Sequence, residues 1–280
     1  MMRKNIFFLN SPLMFLEMFQ FDFILRAFEA GILLSIIAPL IGVFLVVRRY
    51  SLLADALSHV SLMGVAIGFL LKLNPVLTAL FVSATAAFGI ERLRQKQKMF
   101  GESVLAVFLS GSLAIAVVLI GVAKGFNVNL LNFLFGSLST VRESDVVLIG
   151  ILSIVVVAFC VFFYRQLFLI SLDEDLAKVS GVSVNMLNII LVILAACTVA
   201  LAMQMVGVLL VGALMVMPVL AAMQVAKSFF QTFGFALFFS ILSVIAGLFL
   251  SYLLNIASGG AIVLVVLCFF LLSLVFPKQS

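Results

Sequence analysis

The sequence predicts an all-α fold, a polytopic bundle of about eight or nine transmembrane helices, and three observations carry that prediction. Apolar residues make up 66% of the chain and charged residues 10%, with a mean hydropathy of +1.41, a balance foreign to water-soluble globular domains. Uncharged runs of about 17 to 25 residues recur along the chain, the length an α-helix needs to cross a bilayer core. The alternating segments of about ten residues that build a transmembrane barrel are missing.

The breaks between runs place spans at 24–47, 53–71, 75–90, 104–122, 146–163, 187–202, 206–225, 230–254 and 261–276, nine in all, with eight as the alternative count. Residues 1–23 read as an extracytoplasmic amino-terminal segment and 24–280 as a single transmembrane domain. Met1 to Gln20 lacks a compact apolar core ending in a small-residue cleavage site, so the first span is expected to serve as the insertion signal. The third and sixth spans are short, at about 16 residues, which suggests tilt or a kink. The run from Asn127 to Thr140 is too short to span and is interrupted by Gly136. It reads as a re-entrant or interfacial piece, tolerated only where protein covers its free backbone groups. Cys160, Cys197 and Cys268 lie far apart in apolar runs, where cysteine behaves as a small hydrophobe and neither a disulfide framework nor a CxxC site is indicated.

Orientation follows from lysine and arginine. With the end of the first span in the cytoplasm, Arg48, Arg49, Arg92, Arg94, Lys96, Lys98, Arg165, Lys178, Lys227 and Lys278 face inward, ten of the 16 basic residues. This puts the amino terminus outside and the carboxyl terminus in the cytoplasm of a prokaryotic plasma membrane. Glu91 to Lys98 reads as a basic loop that signals topology, and the net charge of +5 comes from such loops and implies no nucleic-acid partner.

Few polar residues lie away from loops. Glu17, Asp22 and Glu29 cluster around the start of the first span, where a solvated interface is the plain reading and a cation entrance involving Glu29 the functional one. Asp55 and His59, the only histidine, sit within the second span. Residues four apart share a helix face with Cβ atoms roughly 6 Å apart, so the carboxylate and imidazole can converge on one divalent cation. A structural hydrogen-bonded pair is the bland alternative, yet ionisable groups inside a membrane are expensive and functional by default. Gly64 and Gly68 form a GxxxG on roughly the opposite face, suited to close packing on a neighbouring helix. Two ligands are too few for a desolvated divalent ion, and a symmetric dimer would supply two carboxylates and two imidazoles.

The stretch Arg48-Arg-Tyr-Ser-Leu-Leu-Ala-Asp-Ala-Leu-Ser-His-Val-Ser-Leu-Met-Gly-Val-Ala-Ile-Gly68 resembles the signature of permease subunits of zinc and manganese ATP-binding cassette importers, an arginine pair leading into a D-x-L-x-H helix. Leu131 to Leu138 is similar to the family's L-F-G segment, Val206 to Pro218 to its V-G-x-L-L…P helix, and Ser258 to Leu264 to its S-G-x-x-I-V-L run. The resemblance runs along nearly the whole chain from about residue 27. It implies a homodimeric or pseudodimeric permease that receives a metal ion from an extracytoplasmic binding protein and is driven by a cytoplasmic ATPase. It also implies that Asp55 and His59 are the metal site. Met63 stands where many members have proline, and Gly260 with Ala261 replaces the commoner A-T pair. Zinc-type members often carry a further histidine in the fourth span, where this chain has Ser110 nearby, whereas the run from His59 to Gly64 reads more like zinc members. Zinc is therefore the first expectation for the cargo and manganese the next.

Leu172 to Val182 has acids at a helix start, favourable for the helix dipole, and a glycine at its end. A short cytoplasmic helix of this kind is what a peripheral ATPase could grip, and in the resembling family it is the coupling helix. Asp173, Glu174, Asp175, Leu176, Ala177 and Gly181 are its candidate coupling residues, with a solvated loop as the alternative. No G-x-x-x-x-G-K-[ST] occurs, so the chain is not expected to be an enzyme itself, no bound cofactor is expected, and ATP belongs to the partner subunit. Three other functions stay open: an ion-coupled secondary transporter using protonation of His59, an intramembrane metalloenzyme, and an importer of a chelated metal or vitamin.

Overall fold

The computed structural model describes residues 21–97, 101–122, 128–137 and 140–275, and among these every regular element is helical. Most of the amino-terminal segment, including Glu17, lies outside the described residues, as do Lys98, Lys124 and Lys278.

Among the described residues eight helices are long and apolar enough to cross a membrane. They are α1 (Asp22–Val47), α2 (Leu52–Leu70), α3 (Pro75–Gln97), α4 (Gly101–Val122), α6 (Glu143–Phe162), α9 (Val184–Val206), α11 (Phe229–Leu254) and α12 (Ser258–Val275). Four shorter helices complete the described residues: α5 (Val128–Phe135), α7 (Tyr164–Leu172), α8 (Glu174–Val179) and α10 (Val211–Val225). Helices α1, α2 and α9 are mostly buried and form the centre, whereas α3, α4, α6, α11 and α12 turn most of their surface outward. Those outward faces are apolar, with Phe81, Val107, Ile154, Phe162 and Phe230 exposed. Such a surface fits hydrocarbon or another apolar chain rather than water.

Three boundaries differ from the sequence expectation. The third span continues through Gln97, so Glu91 to Gln97 is the end of α3 rather than a loop. Its charges follow a helix because Glu91 and Arg94 pair at i,i+3, with Arg94 Nη2 donating to Glu91 Oε1 at 2.8 Å. The sixth span, α9, has 23 residues and needs no kink to cross. The seventh does not begin at 206: the chain breaks at Gly207, whose φ is 90°, and resumes as the 15-residue α10.

Helix α5 lies against that break. The amides of Val208 and Leu209 donate to the carbonyls of Phe133 and Leu134 at 2.9 and 3.4 Å, and the Ser137 amide donates to the Gln204 carbonyl at 3.1 Å. The backbone groups freed by the break and by the end of α5 thus satisfy one another, which is how irregular chain is tolerated at membrane depth. The contact requires glycine. Gly136 sits at φ 77° with its α-carbon against the Met205 and Val206 backbone, and Gly207 lies equally close to Leu134 and Phe135.

Helices α2 and α3 pack through the GxxxG. A Cβ on Gly64 would stand 2.6 Å from the Ala79 α-carbon, and one on Gly68 2.8 Å from that of Pro75. Ser61 Oγ and Ser83 Oγ then meet at 2.8 Å across the same interface. The close approach predicted for the glycine face is thereby present, and it leaves the Asp55–His59 face for other neighbours.

Candidate metal site

Asp55 lies one turn into α2, and His59 follows one turn later. Both are half-buried, whereas Leu53, Ala54, Ala56, Leu57, Ser58 and Val60 around them are fully buried. Ser58 Oγ donates to the Asp55 carbonyl at 2.8 Å and Ser61 Oγ to the Leu57 carbonyl at 2.8 Å, so neither hydroxyl competes for the Asp55 carboxylate. No hydrogen bond joins Asp55 to His59, and the buried His59 Nδ1 has no hydrogen-bond partner among the described residues. A carboxylate and an imidazole nitrogen one turn apart are thus both available to a third group.

The neighbour pressed against this face is α10. A Cβ at Gly212 would overlap Asp55 Oδ1 and lie 2.9 Å from its Cγ, so the carboxylate occupies the space that any other residue at 212 would fill. The same helix presses its Met215 carbonyl against Gly42 of α1. Pro218 lies farther along α10, and the helix starts abruptly after the Gly207 break, so its first turn meets α2 at the level of Asp55. Sequence reasoning had matched the run from Val206 to Pro218 to a helix without seeing that Gly212 belongs to the site. Its signal was a glycine just inside a helix start with no turn to explain it.

Among the described residues no group of three or more His, Cys, Asp or Glu side chains stands close enough to hold a metal ion. The described part of one chain thus brings a carboxylate and an imidazole together with no third His, Cys, Asp or Glu beside them. Glu29 is exposed on α1, and no hydrogen bond or ion pair connects it with the pair. Ser110 is exposed on α4.

At the other end of the Arg48–Arg49 turn, Arg48 does more than mark topology. Its Nη2 donates to Glu174 Oε1 at 3.1 Å and to Asn188 Oδ1 at 2.5 Å. Arg49 is exposed and takes a left-handed φ of 56°, which turns the chain sharply into α2. Burial lowers the Arg48 guanidinium from its usual range, and the Glu174 carboxylate works against that shift. Burial, with the Glu91 carboxylate adding to it, holds the Tyr50 hydroxyl well above the usual phenol range.

The acidic stretch forms α8. Asp173 is its cap, its Oδ1 accepting from the Asp175 and Leu176 amides at 2.8 and 3.0 Å. Gly181 closes it at φ 81°, and Ala177 is its buried side. Leu176 is 53% and Val179 88% exposed, so two apolar side chains of this polar turn project outward. Asp175 and Lys178 pair on the surface, and that hydrogen bond raises the Lys178 ammonium from its usual value. Sequence reasoning missed Asn188 and Gln204, although amides inside apolar runs are the kind of signal that singled out Asp55. Asn188 is buried beside Arg48, and buried Gln204 lines a cavity of about 360 Å³ with Asn74, Asn132, Thr140 and Asp145.

Known proteins match the chain over almost its full length. The chain is 33% identical over 255 residues to a high-affinity zinc uptake system membrane protein of Haemophilus influenzae, covering 91% of this chain and 98% of the relative. It is 32% identical over 270 residues to a manganese transport system membrane protein of Listeria monocytogenes, covering 96% of each. Among solved structures it is similar to PsaBC from Streptococcus pneumoniae, in complex with Fab, with a TM-score of 0.84 and 31% identity over 96% of this chain and 97% of that one. Residues 20–277, from before α1 to beyond α12 and so including the Asp55–His59 helix and α8, match the ABC 3 transport family, and the chain belongs to that family.

Proposed function

We propose that this protein is the membrane permease subunit of an ATP-driven importer of divalent transition-metal ions, with zinc the first cargo and manganese the next. The observation that carries the reading is the Asp55–His59 pair: two ligand-type side chains one turn apart in an otherwise apolar helix, the imidazole nitrogen unpartnered and the carboxylate seated against Gly212. Relatives over nearly the whole chain carry zinc and manganese in their names, which supports the cargo class and leaves the order between the two to experiment.

Two copies of the chain form the conducting unit, each contributing Asp55 and His59 to one four-ligand site. A cytoplasmic ATPase seats on α8, where Leu176 and Val179 offer an apolar grip held rigid by the Asp173 cap, with Asp175 and Gly181 shaping its ends. An extracytoplasmic binding protein delivers the ion near the outer ends of the spans, where Glu29 is exposed for capture. The amino terminus is outside and the carboxyl terminus in the cytoplasm. The ion exchanges part of its water shell for the two carboxylates and two imidazoles, and closure driven by ATP weakens the site toward the cytoplasm. The permease performs no bond chemistry on its cargo.

Uptake of zinc, with manganese and iron as competitors, tests the reading in cells expressing Asp55→Ala or His59→Ala permease at normal levels. Each variant is expected to lose at least tenfold in uptake, and full-rate transport by both would overturn the proposal. Disabling the partner ATPase is expected to abolish uptake. Transport that survives this but collapses with the proton gradient would select an ion-coupled carrier instead.

A further inference from the structure

Three donors from three elements converge on one carboxylate oxygen of α8. Glu174 Oε1 accepts from Arg48 Nη2 at 3.1 Å, from Arg94 Nη2 at 3.1 Å and from Asn188 Nδ2 at 3.2 Å. Arg48 belongs to the α1–α2 turn, Arg94 to the end of α3 and Asn188 to the start of α9. Arg94 is fixed in turn by Glu91, whose side chain is 1% exposed, and lies over the Tyr50 ring at 5.8 Å.

This arrangement is poorly explained as a fixed structural clamp. Arg48, Tyr50, Glu91, Arg94 and Glu174 line a cavity of about 340 Å³, ample for several waters, so the ion pairs can part and be rehydrated without opening a dry core. The Arg48 turn, by contrast, is tightly bonded. Tyr50 N donates to the Leu45 carbonyl at 2.8 Å, Arg49 N to Val46 at 3.0 Å and Leu53 N to Tyr50 at 3.1 Å. A pull on Arg48 therefore reaches the start of α2 as a rigid displacement, less than one helical turn from Asp55.

We propose that Glu174 is a positioning residue that links α8 to the metal-site helix, passing displacements of α8 through Arg48 to α2 and through Arg94 to α3. The inference rests on the importer reading above and names how that machine is coupled. The outward side chains Leu176 and Val179 face the ATPase, while Glu174 reaches inward.

The test uses the assembled complex of permease, ATPase and binding protein in proteoliposomes and reads zinc or manganese ions delivered per ATP hydrolysed. Glu174→Gln keeps the side-chain size and removes the charge. Its transport ratio is expected to fall at least fivefold, while metal bound at the Asp55–His59 site, measured by calorimetry with zinc or manganese, stays within twofold of wild type. A ratio equal to wild type would overturn the proposal, as would uptake and hydrolysis falling in proportion. If Glu174→Gln does not assemble, Arg48→Lys, which keeps the charge but loses the forked donor, decides the matter with the same two outcomes and an expected fall of about threefold. Absence of metal binding in the wild-type complex would instead count against the importer reading, so the two failures are told apart.

Discussion

At the scale of single residues, the proposed metal site depends on a glycine as much as on Asp55 and His59. Asp55 can hold its carboxylate at the α2–α10 contact only because residue 212 lacks a Cβ. Gly212→Ala is expected to push the carboxylate aside or spread the helices, an overpacking that costs about 1–3 kcal/mol. Metal uptake should then fall at least tenfold in a permease that still reaches the membrane. Wild-type uptake in that variant would mean the carboxylate works from another position.

Protons act on the same residues. A histidine nitrogen binds metal only when neutral, so uptake is expected to decline once pH falls far enough to protonate His59. The Glu174 cluster does not account for such a decline. Burial acts to raise the Glu174 carboxyl, but the charges of Arg94 and Arg48 and the bonds from Arg94 and Asn188 outweigh it and hold it below its ordinary 4.5. A carboxyl depressed by folding contributes fully above its unfolded value and loses that contribution only as pH drops through the lower folded one. Initial uptake rates measured from about pH 7.5 down to about 5 therefore read protonation of the Asp55–His59 pair rather than of Glu174, and a flat profile would remove the requirement for neutral His59.

At the scale of elements, the molecule is organised by where helices approach too closely for side chains. Helix α12 begins against the α9 end, where a Cβ on Gly259 would overlap the Val206 carbonyl and lie 2.9 Å from that of Phe135, and Ser258 Oγ donates to the Met205 carbonyl at 2.7 Å. Gly260, one residue on, faces open space. Its departure from the family's usual alanine is thus without steric consequence. Gly259→Ala is expected to lower the melting temperature of the detergent-solubilised protein clearly, whereas Gly260→Ala should leave it within about a degree or raise it, since alanine favours the helix by up to ~1 kcal/mol. Equal effects of the two would contradict the packing. Helix α11 is anchored by rings to both α7 and α1. Phe168 meets Phe229 at 4.8 Å and Phe44 meets Phe233 at 5.3 Å, pairs worth about 0.5–1.5 kcal/mol each. This gives the chain entering α8 a firm base, while α8 itself is held inward by Ala177 and Glu174.

At the scale of the whole molecule, most of the fold was legible because a bilayer leaves few choices. Apolar runs long enough to cross must be helices, and their composition alone separates them from loops. The Asp55–His59 pair was legible for the same reason, since charge inside such a run is rare enough to notice. Boundaries of charged helix ends were not legible. The stretch from 91 to 97 read as loop, and the pairing of Arg94 with Glu174, 80 residues away, is invisible along the chain; Arg48 read as a topology marker although its partners lie 126 and 140 residues away. The break in α9 was likewise hidden: Gly207 is one glycine among 18, and only the α5 backbone opposite it explains why the helix must stop there.

What the sequence by itself determined is therefore the membrane environment, the helical class, the placing of Asp55 and His59 one turn apart in a single span, and the short acidic helix, because each follows from local composition or from spacing within one helix. Tertiary structure decided what surrounds them: that Gly212 seats the carboxylate, that α5 covers the α9–α10 break, and that one oxygen of Glu174 joins α8 to the turn before Asp55. These are contacts between segments far apart in the chain, and their energies depend on close approach and desolvation, which no local pattern of residues records.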